Sequence, residues 1–295
     1  MTAPYLVLAV GGTGESWPTD TRTGVSGMLL NITNKLDQAL FEGRWVPYDA
    51  SYGFVPMPNG VSYAESVRRG HQSLLAAIRA DDRPVVLLGY SQGSAVVSSL
   101  LDQLDAGYYP GIRARVVGAV LMANPARRLG DDTIGGRVNG YGITYDLKSP
   151  NARRTVPTVD VANPEDMICS AAPDSFLRGL SKLTEFMSFT DLRAWGKSLY
   201  ADMKDVDWAE NSEGSGNFRD VPYQINRFAR SINEILGYVT GRHTGYNIER
   251  VPGMTSTYTE VAARWIEAAA SGYKLAESVS KLTGPGRELV GEISA

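Results

Sequence analysis

A serine between two glycines is the residue in this chain best placed for nucleophilic chemistry. The pentapeptide Gly89-Tyr90-Ser91-Gln92-Gly93 overlaps the end of the apolar run VVLLGY and precedes a segment with helical spacing. This G-x-S-x-G pattern between a strand and a helix is typical of a tight turn that lifts a serine hydroxyl out of a sheet. Glycine suits both flanking positions because such a turn leaves no room for side chains there. The pattern predicts that Ser91 attacks an acyl carbon.

A serine nucleophile needs a base, because its own hydroxyl is scarcely ionised at neutral pH. The chain has two histidines. His71 lies inside an amphipathic helical pattern and is predicted to be a structural or half-exposed helix residue. His243 lies in the glycine-flanked segment GRHTGY in the last quarter of the chain. Hydrolases on an α/β sheet carry serine, acid and histidine in that order along the chain. Only His243 satisfies this order, so the sequence predicts it as the general base.

An acid between Ser91 and His243 is needed to orient the imidazole and to stabilise its protonated form. Asp160, Glu165 and Asp166 compete for this role. Asp160 lies within a strand-like segment, which fixes its side chain on one face. Asp166 follows the end of that segment, where a loop-borne acid is expected. We predict Asp166 as the acid, with Asp160 as the second candidate and Glu165 as the third.

Backbone N–H groups must stabilise the oxyanion that forms when a serine attacks a carbonyl. The residue after the nucleophile, Gln92, supplies the first N–H at the start of the predicted helix. The segment GGTGE, residues 11–15, ends the first apolar run and is rich enough in glycine to expose its backbone. We predict the Thr13 N–H as the second donor. As a phosphate loop the same segment is weak, since it lacks both the Lys-Ser/Thr of a Walker motif and a full G-x-G-x-x-G.

Apolar runs alternate with helical patterns through the first half of the chain. This alternation predicts crossover connections and hence a mainly parallel sheet in the α/β class. Pro157 argues against a central position for the last predicted strand. The capping box formed by Ser62 and Glu65 marks the start of the first clear helix. The predicted strands are residues 5–10, 45–48, 85–90, 116–123 and 155–162, and the predicted helices are residues 62–80, 94–104 and 257–270.

Three parts of the chain are distinguished by their composition. Residues 1–170 and 241–272 are predicted to form the hydrolase core. Residues 171–240 carry large apolar side chains at helical intervals and are predicted to be a helical insertion or cap. Its stripe from Phe176 to Met187 either packs on the core or lines a groove for alkyl chains. Residues 273–295 are predicted to be a tail with one weak helix.

Composition excludes several classes of protein. The 29 basic and 32 acidic residues of the 295-residue chain leave a net charge of −3, so no strong positive field attracts nucleic acid. No apolar run approaches the roughly 20 residues of a transmembrane helix, and no signal peptide is predicted. The single cysteine, Cys169, excludes an intramolecular disulfide. Two separated histidines and one cysteine predict no zinc site, and no cofactor is predicted.

The chain resembles the mycobacteriophage lysin B family within the cutinase-like serine esterases of the α/β-hydrolase superfamily. The resemblance covers roughly residues 4–270. It rests on the segments GGTGE, GYSQG, ANPAR and DMIC and on the late histidine loop, which occur in the family's order. Carried over by position, the family's nucleophile falls on Ser91, its acid on Asp166 and its base on His243.

Two departures from secreted cutinases favour the lysin B family. Cutinases are braced by disulfides, whereas Cys169 has no partner. Cutinases also place the histidine shortly after the acid, whereas 77 positions separate Asp166 from His243 here. Lysin B proteins are known for a helical insertion at that point. This chain begins at the first predicted strand, so we expect no N-terminal peptidoglycan-binding module.

The resemblance implies an enzyme that hydrolyses the ester between mycolic acids and arabinogalactan at the end of phage infection. Such an enzyme is made in the host cytoplasm without a signal peptide and acts at the mycobacterial cell envelope. A second interpretation is a general cutinase or lipase acting on other lipid esters. A third is a catalytically silent wall-binding or virion protein on a hydrolase fold, which the ordered catalytic residue types argue against.

Overall fold

A parallel six-stranded sheet forms the centre of the described part of the molecule. The computed structural model describes residues 3–52, 60–135, 140–145, 154–173, 175 and 241–283. The strands are β1 (Tyr5–Val10), β2 (Phe41–Trp45), β3 (Val85–Tyr90), β4 (Val116–Met122), β5 (Thr133–Ile134) and β6 (Thr158–Val161). Their order is β2-β1-β3-β4-β6-β5, and every neighbouring pair is parallel. The predicted α/β-hydrolase fold is confirmed.

Helices cover both faces of this sheet. They are α1 (Gly27–Thr33), α2 (Tyr63–Arg79), α3 (Gln92–Asp105), α4 (Pro110–Arg113), α5 (Met167–Ser170) and α6 (Tyr258–Thr283). The central strands are apolar throughout because they are buried on both faces. Alternate residues of β1 therefore join different cores: Leu6 and Leu8 pack towards α2 and α3, whereas Val7 and Ala9 pack towards α1 and α6.

The predicted start of α2 is confirmed. The Ser62 hydroxyl accepts a hydrogen bond from the Glu65 N–H at 3.3 Å. Ser62 thus supplies an acceptor to one of the N–H groups that a first helical turn leaves unpaired. On the same helix Leu74, Leu75 and Ile78 are buried against the sheet, as their spacing predicts.

The second strand was predicted in the wrong place. It runs over Phe41–Trp45, not over 45–48, and it lies at an edge of the sheet. Its middle residues, Glu42, Gly43 and Arg44, are half-buried, so the strand lacks the apolar run that identified the others. Val46 and Tyr48, which suggested a strand, are buried as part of the connection that follows.

The fifth predicted strand is shorter than expected and lies inside the sheet. It covers Thr158–Val161 and pairs with both β4 and β5. Pro157 does not prevent this position because it precedes the strand, and its carbonyl accepts a hydrogen bond from the Ala119 N–H at 2.9 Å. Strand β5 was not predicted, since two residues carry no periodicity.

The helix predicted to end at residue 270 continues to Thr283, so its predicted end is wrong. Gly272 is accommodated because a single glycine costs a helix only about 1 kcal/mol relative to alanine. The neighbouring residues Ser271, Tyr273, Lys274 and Leu275 sustain the helical backbone.

Most of the predicted helical insertion, residues 171–240, lies outside the described residues, as does the end of the predicted tail beyond residue 283. The apolar stripe from Phe176 to Met187 is among them. None of the helices within the described ranges combines the length and the apolar character needed to cross a bilayer.

Candidate active site

Ser91 occupies a strained turn between β3 and α3. Its backbone has φ 52° and ψ −120°, a left-handed conformation that is uncommon for a residue with a side chain. The flanking glycines make the turn possible. A Cβ at Gly89 would lie 2.7 Å from the Cα of Ser94, and one at Gly93 would overlap the carbonyl oxygen of Val10. The Ser91 N–H donates to the Met122 carbonyl at 2.9 Å, which ties the turn to the end of β4.

The structure brings together Ser91, His243 and Asp166. His243 Nε2 lies 2.9 Å from Ser91 Oγ, and His243 Nδ1 lies 2.9 Å from Asp166 Oδ2. An ionised carboxylate only accepts hydrogen bonds, so Nδ1 carries the proton and Nε2 is left to accept from the Ser91 hydroxyl. This is the tautomer in which an imidazole can remove the serine proton.

The His243 imidazole is held from its other sides as well. The Tyr90 ring stacks against it, with ring centroids 5.6 Å apart and planes 23° from parallel. The Tyr90 hydroxyl donates to the His243 carbonyl at 2.8 Å, so the residue before the nucleophile anchors the histidine loop. The preceding residue in that loop, Arg242, pairs with Glu165 at 2.7 Å and with Glu249 at 3.1 Å. Glu165, the third acid candidate, is therefore part of an ion pair on the surface.

Asp166 is buried and receives donors on both oxygens. Its Oδ1 accepts from the Ile168 N–H at 3.0 Å, which caps the short helix α5. Its Oδ2 accepts from His243 and, at 2.8 Å, from the Tyr246 hydroxyl. Sequence reasoning missed Tyr246, because no pattern distinguishes it from the other 14 of the chain's 15 tyrosines. Its position three residues after His243 in the same loop was the only available signal.

Asp160, the second acid candidate, faces a different environment. Its Oδ1 accepts from Asn124 Nδ2 at 2.9 Å, and Asn124 in turn donates to Ser98 of α3. Its Oδ2 is buried and has no hydrogen-bond partner among the described residues. Burial raises the pKa of Asp160 to about 7, with a smaller opposing effect from the Asn124 hydrogen bond. The carboxyl group makes no contact with His243.

The two predicted oxyanion donors lie on segments that contact each other. Thr13 Oγ1 donates to Gln92 Oε1 at 3.1 Å, and Gln92 Nε2 donates to the Ser51 carbonyl at 2.9 Å. Gln92 is the first residue of α3, so its N–H has no acceptor within the helix. Neither this N–H nor the Thr13 N–H has a hydrogen-bond partner within the described ranges. A Cβ at Gly12 would lie 3.1 Å from Ser91 Cβ, so the backbone of this loop approaches the serine closely.

Glu15 fixes the shape of the loop that carries Thr13. Its carboxylate accepts from the Gly12 N–H at 2.8 Å and from the Met28 N–H at 2.9 Å. These two bonds connect the loop after β1 to the first turn of α1. The last residue of the GGTGE segment is thus a structural anchor for the loop.

The chain's other histidine also contacts a serine, but without an acid. His71 on α2 is 7% exposed, and its Nδ1 lies 3.1 Å from Ser99 Oγ on α3. Burial lowers the pKa of His71, which favours the neutral imidazole. No carboxylate hydrogen-bonds to His71 in the part of the chain that the structure describes. Likewise, no group of three or more His, Cys, Asp or Glu side chains in those residues is arranged to hold a metal ion.

Comparison with protein families assigns the chain to a known group. A model described as the PE-PPE domain matches residues 44–207, more than half of the chain. The chain belongs to the PE-PPE domain family. The fold of the chain is cutinase-like. The PE-PPE match includes Ser91 and Asp166, whereas His243 lies beyond its end.

A curated relative and three solved structures are similar to this PE-PPE chain. A cutinase from Didymella rabiei is 38% identical over 89 residues, which are 29% of this chain and 36% of that protein. The chain thus spans about a third of the length of the curated relative it matches. Lysin B from Mycobacteriophage D29 is 16% identical, and the match covers 90% of this chain and 99% of that one with a TM-score of 0.49. The catalytic core domain of acetyl xylan esterase from Trichoderma reesei is 20% identical, and the match covers 63% of this chain and 91% of that one with a TM-score of 0.47. A cutinase-like protein from Cryptococcus sp. is 23% identical, and the match covers 57% of this chain and 80% of that one with a TM-score of 0.43.

Proposed function

We propose that this chain is a serine esterase in which Ser91 is the nucleophile, His243 the general base and Asp166 the acid that orients His243. The observation that carries this proposal is the unbroken line of contacts from Asp166 Oδ2 through both nitrogens of His243 to Ser91 Oγ, each 2.9 Å long. Hydrogen-bond reach between nucleophile and base, with the base oriented by a third group, is the arrangement that activates a serine.

The proposed reaction has two halves. Nε2 of His243 takes the hydroxyl proton as Ser91 Oγ bonds to the ester carbonyl carbon, and the carbonyl oxygen becomes an oxyanion. The N–H groups of Gln92 and Thr13 stabilise that oxyanion. The protonated imidazole, stabilised by Asp166, gives its proton to the leaving alcohol as the carbon–oxygen ester bond breaks. A water molecule then hydrolyses the acyl-serine by the same steps.

The substrate we propose is the ester that joins mycolic acids to arabinogalactan. Support comes from the sequence resemblance to lysin B, which the segments GGTGE, GYSQG, ANPAR and DMIC carry in order. The same resemblance assigns the site of action to the mycobacterial cell envelope during phage-mediated lysis. The partner of the enzyme is then a lipid ester of the wall.

A second candidate function is the hydrolysis of other lipid esters. It is favoured by the 38% identity with the Didymella rabiei cutinase over 89 residues. The two candidates share the chemistry at Ser91 and differ only in what binds on either side of the scissile ester.

Replacement of Ser91 by alanine tests the chemistry. Ser91→Ala should lower hydrolysis of a nitrophenyl ester by at least about 10³-fold, because the nucleophile is lost while the fold is kept. Ser99→Ala is the matched control, since Ser99 is also a helix α3 serine in contact with a histidine. Circular dichroism and thermal unfolding check the fold of both variants. Undiminished hydrolysis by Ser91→Ala would remove Ser91 from the mechanism.

A separate assay distinguishes the two substrates. The enzyme is incubated with purified mycolyl-arabinogalactan, and released lipids are followed by thin-layer chromatography, with Ser91→Ala as the blank. Release of mycolic acid by the active enzyme alone supports the wall ester as substrate. Hydrolysis of nitrophenyl esters without any mycolate release would instead favour the general lipid esterase.

A further inference from the structure

We propose that Tyr246 is a positioning residue for the reaction, whose hydroxyl fixes the Asp166 carboxylate and limits the negative charge that this carboxylate presents to His243. The inference rests on the proposed function of Ser91, His243 and Asp166. It adds a fourth side chain, which hydrogen-bonds to the acid.

The Tyr246 hydroxyl has three polar neighbours: the Asn163 N–H, the Asp166 carboxylate and, at 3.3 Å, the Cys169 thiol. Its oxygen accepts from the Asn163 N–H at 3.0 Å, and its hydrogen is directed to Asp166 Oδ2 at 2.8 Å. The side chain is fully buried, and its ring packs against Tyr258 with centroids 5.1 Å apart. Burial, with a smaller contribution from the charge of Asp166, raises the pKa of Tyr246 well above its usual value. The phenol therefore stays protonated and remains a donor.

The same carboxylate oxygen serves both Tyr246 and His243. Oδ2 accepts from the Tyr246 hydroxyl and from His243 Nδ1, while Oδ1 is occupied by the Ile168 N–H. Hydrogen bonds to a charged group are stronger than those between neutral groups, and each one stabilises the ionised form. The phenol thus draws negative charge away from the side of Oδ2 that faces the imidazole. It also prevents the carboxylate from rotating out of line.

Other charged or titratable groups surround this arrangement. The Cys169 thiol lies 3.5 Å from Asp166 Oδ2, and burial raises its pKa, which keeps it neutral. The remaining groups are Tyr90 stacked on the imidazole, Arg242 with its partners Glu165 and Glu249, Arg127 bonded to the Cys169 carbonyl, and the neighbouring Tyr258. Removal of the Tyr246 hydroxyl ends its 3.3 Å contact with the Cys169 thiol and leaves the contacts of the other groups in place.

Removal of that hydroxyl is the first test. In Tyr246→Phe the carboxylate keeps its charge but loses a donor, so it stabilises the protonated imidazole more strongly. We expect the acid limb of the pH profile of kcat/KM to move to higher pH by about half a unit and kcat to fall about tenfold, with KM unchanged. Tyr258→Phe is the matched control: it removes a phenol hydroxyl from the adjacent buried ring and should retain the wild-type profile.

A second variant keeps the shape of the site. Tyr246→Phe leaves the buried Asn163 N–H without its acceptor, which weakens the fold. Site-specific 3-fluorotyrosine at position 246 preserves the hydroxyl and makes it a stronger donor. The acid limb should then move to lower pH, opposite in sign to the effect of Tyr246→Phe. A limb that stays at its wild-type position in the fluorotyrosine protein overturns the proposal.

These outcomes are separable from failure of the proposed function. If wild-type hydrolysis does not depend on Ser91, the proposed function itself is wrong. If hydrolysis depends on Ser91 but the acid limb does not respond to either change at Tyr246, only the role of Tyr246 is wrong.

Discussion

Two aspartates six positions apart show how strongly hydrogen-bond donors decide the state of a carboxyl group. Asp166 is surrounded by donors from His243, Tyr246 and the Ile168 backbone. Asp160 is equally buried but has a single donor, Asn124, and one oxygen without a partner among the described residues. Burial of an uncompensated charge is costly, and protonation is the cheaper alternative. Asp160 therefore suits the neutral form, whereas both oxygens of Asp166 have donors.

The raised pKa of Asp160 makes the stability of the protein depend on pH. A carboxyl with a pKa of about 7 in the folded state and about 4 when unfolded binds more protons in the folded state between those values. The contribution of Asp160 to the free energy of unfolding is therefore fully present below about pH 4 and is lost as the pH rises towards 7. The Asp160→Asn substitution should remove this pH dependence. The free energy of unfolding of the variant, compared with that of wild type, should therefore be about 2 kcal/mol more favourable at pH 8 than at pH 5.

Urea unfolding at both pH values measures this effect. Asp132→Asn, at an exposed position beside the same strand, is the control and should follow the wild-type pH dependence. A stability difference between Asp160→Asn and wild type that is the same at pH 5 and pH 8 would contradict the assignment of a raised pKa to Asp160.

At the level of elements, the site depends on how closely two chain segments approach each other. The backbone of Gly93, at the start of α3, lies directly against the end of β1 at Val10 and Gly11. This contact lets the loop after β1 reach Ser91, and it is possible only without a side chain at position 93. The position of the predicted oxyanion loop relative to the Ser91 turn therefore depends on this contact.

Substitution of Gly93 tests this coupling. In Gly93→Ala the new methyl group overlaps the carbonyl oxygens of Val10 and Gly11, and backbone atoms cannot move aside as flexible side chains do. We expect a loss of about 3 kcal/mol or more in the free energy of unfolding. Activity in any folded fraction should fall as well, because β1 and α3 are forced apart.

Gly111 in α4 provides the matched control for this change. A Cβ there meets nothing within 4 Å, so Gly111→Ala should change stability by less than about 1 kcal/mol and leave hydrolysis unaltered. Chemical denaturation of both variants measures the difference. Equal stability of Gly93→Ala and wild type would show that the close approach is not required.

At the level of the whole molecule, the two faces of the sheet are covered by helices from different parts of the chain. Helices α2 and α3 cover one face, whereas α1, from near the start of the chain, and α6, from near its end, cover the other. Trp265 of α6 lies over Gly118 of β4, where a Cβ would come within 3.0 Å of the indole. The absence of a side chain at Gly118 lets this helix sit directly on the sheet.

Trp265→Ala should separate stability from catalysis. Loss of a partly buried indole from the core is expected to cost about 2 kcal/mol in the free energy of unfolding. Gly118 lies four residues before the end of β4, roughly 13 Å from the sheet edge that carries Ser91. The value of kcat/KM at 25 °C should therefore stay within about twofold of wild type.

The neighbouring exposed residue Arg264 supplies the control, and Arg264→Ala should affect neither property. Urea unfolding and initial rates on a nitrophenyl ester measure both. Wild-type stability of Trp265→Ala would show that Trp265 does not stabilise the core. Loss of hydrolysis by a folded Trp265→Ala protein would show that the role of Trp265 is not limited to stability.

Local patterns predicted the elements whose signal lies in consecutive residues. Strands β1 and β3 were predicted with their full bounds, and the start of α2 within one residue, because buried parallel strands are continuously apolar and the helix has a capping serine. Strand β2 and the length of α6 were not, since a half-buried edge strand lacks an apolar run and one glycine does not end a helix that its neighbours favour.

The sequence by itself determined the α/β class, the turn at Ser91 and, through the order of residues along the chain, the choice of His243 over His71. These follow from local chemistry and connectivity. Only the tertiary structure decided that Asp166 rather than Asp160 meets His243, and that Tyr246 donates to the same carboxylate oxygen. The physical reason is that the partners of His243 come from segments 77 and 152 positions away. Strand register and packing, which one sequence does not encode locally, bring these segments together.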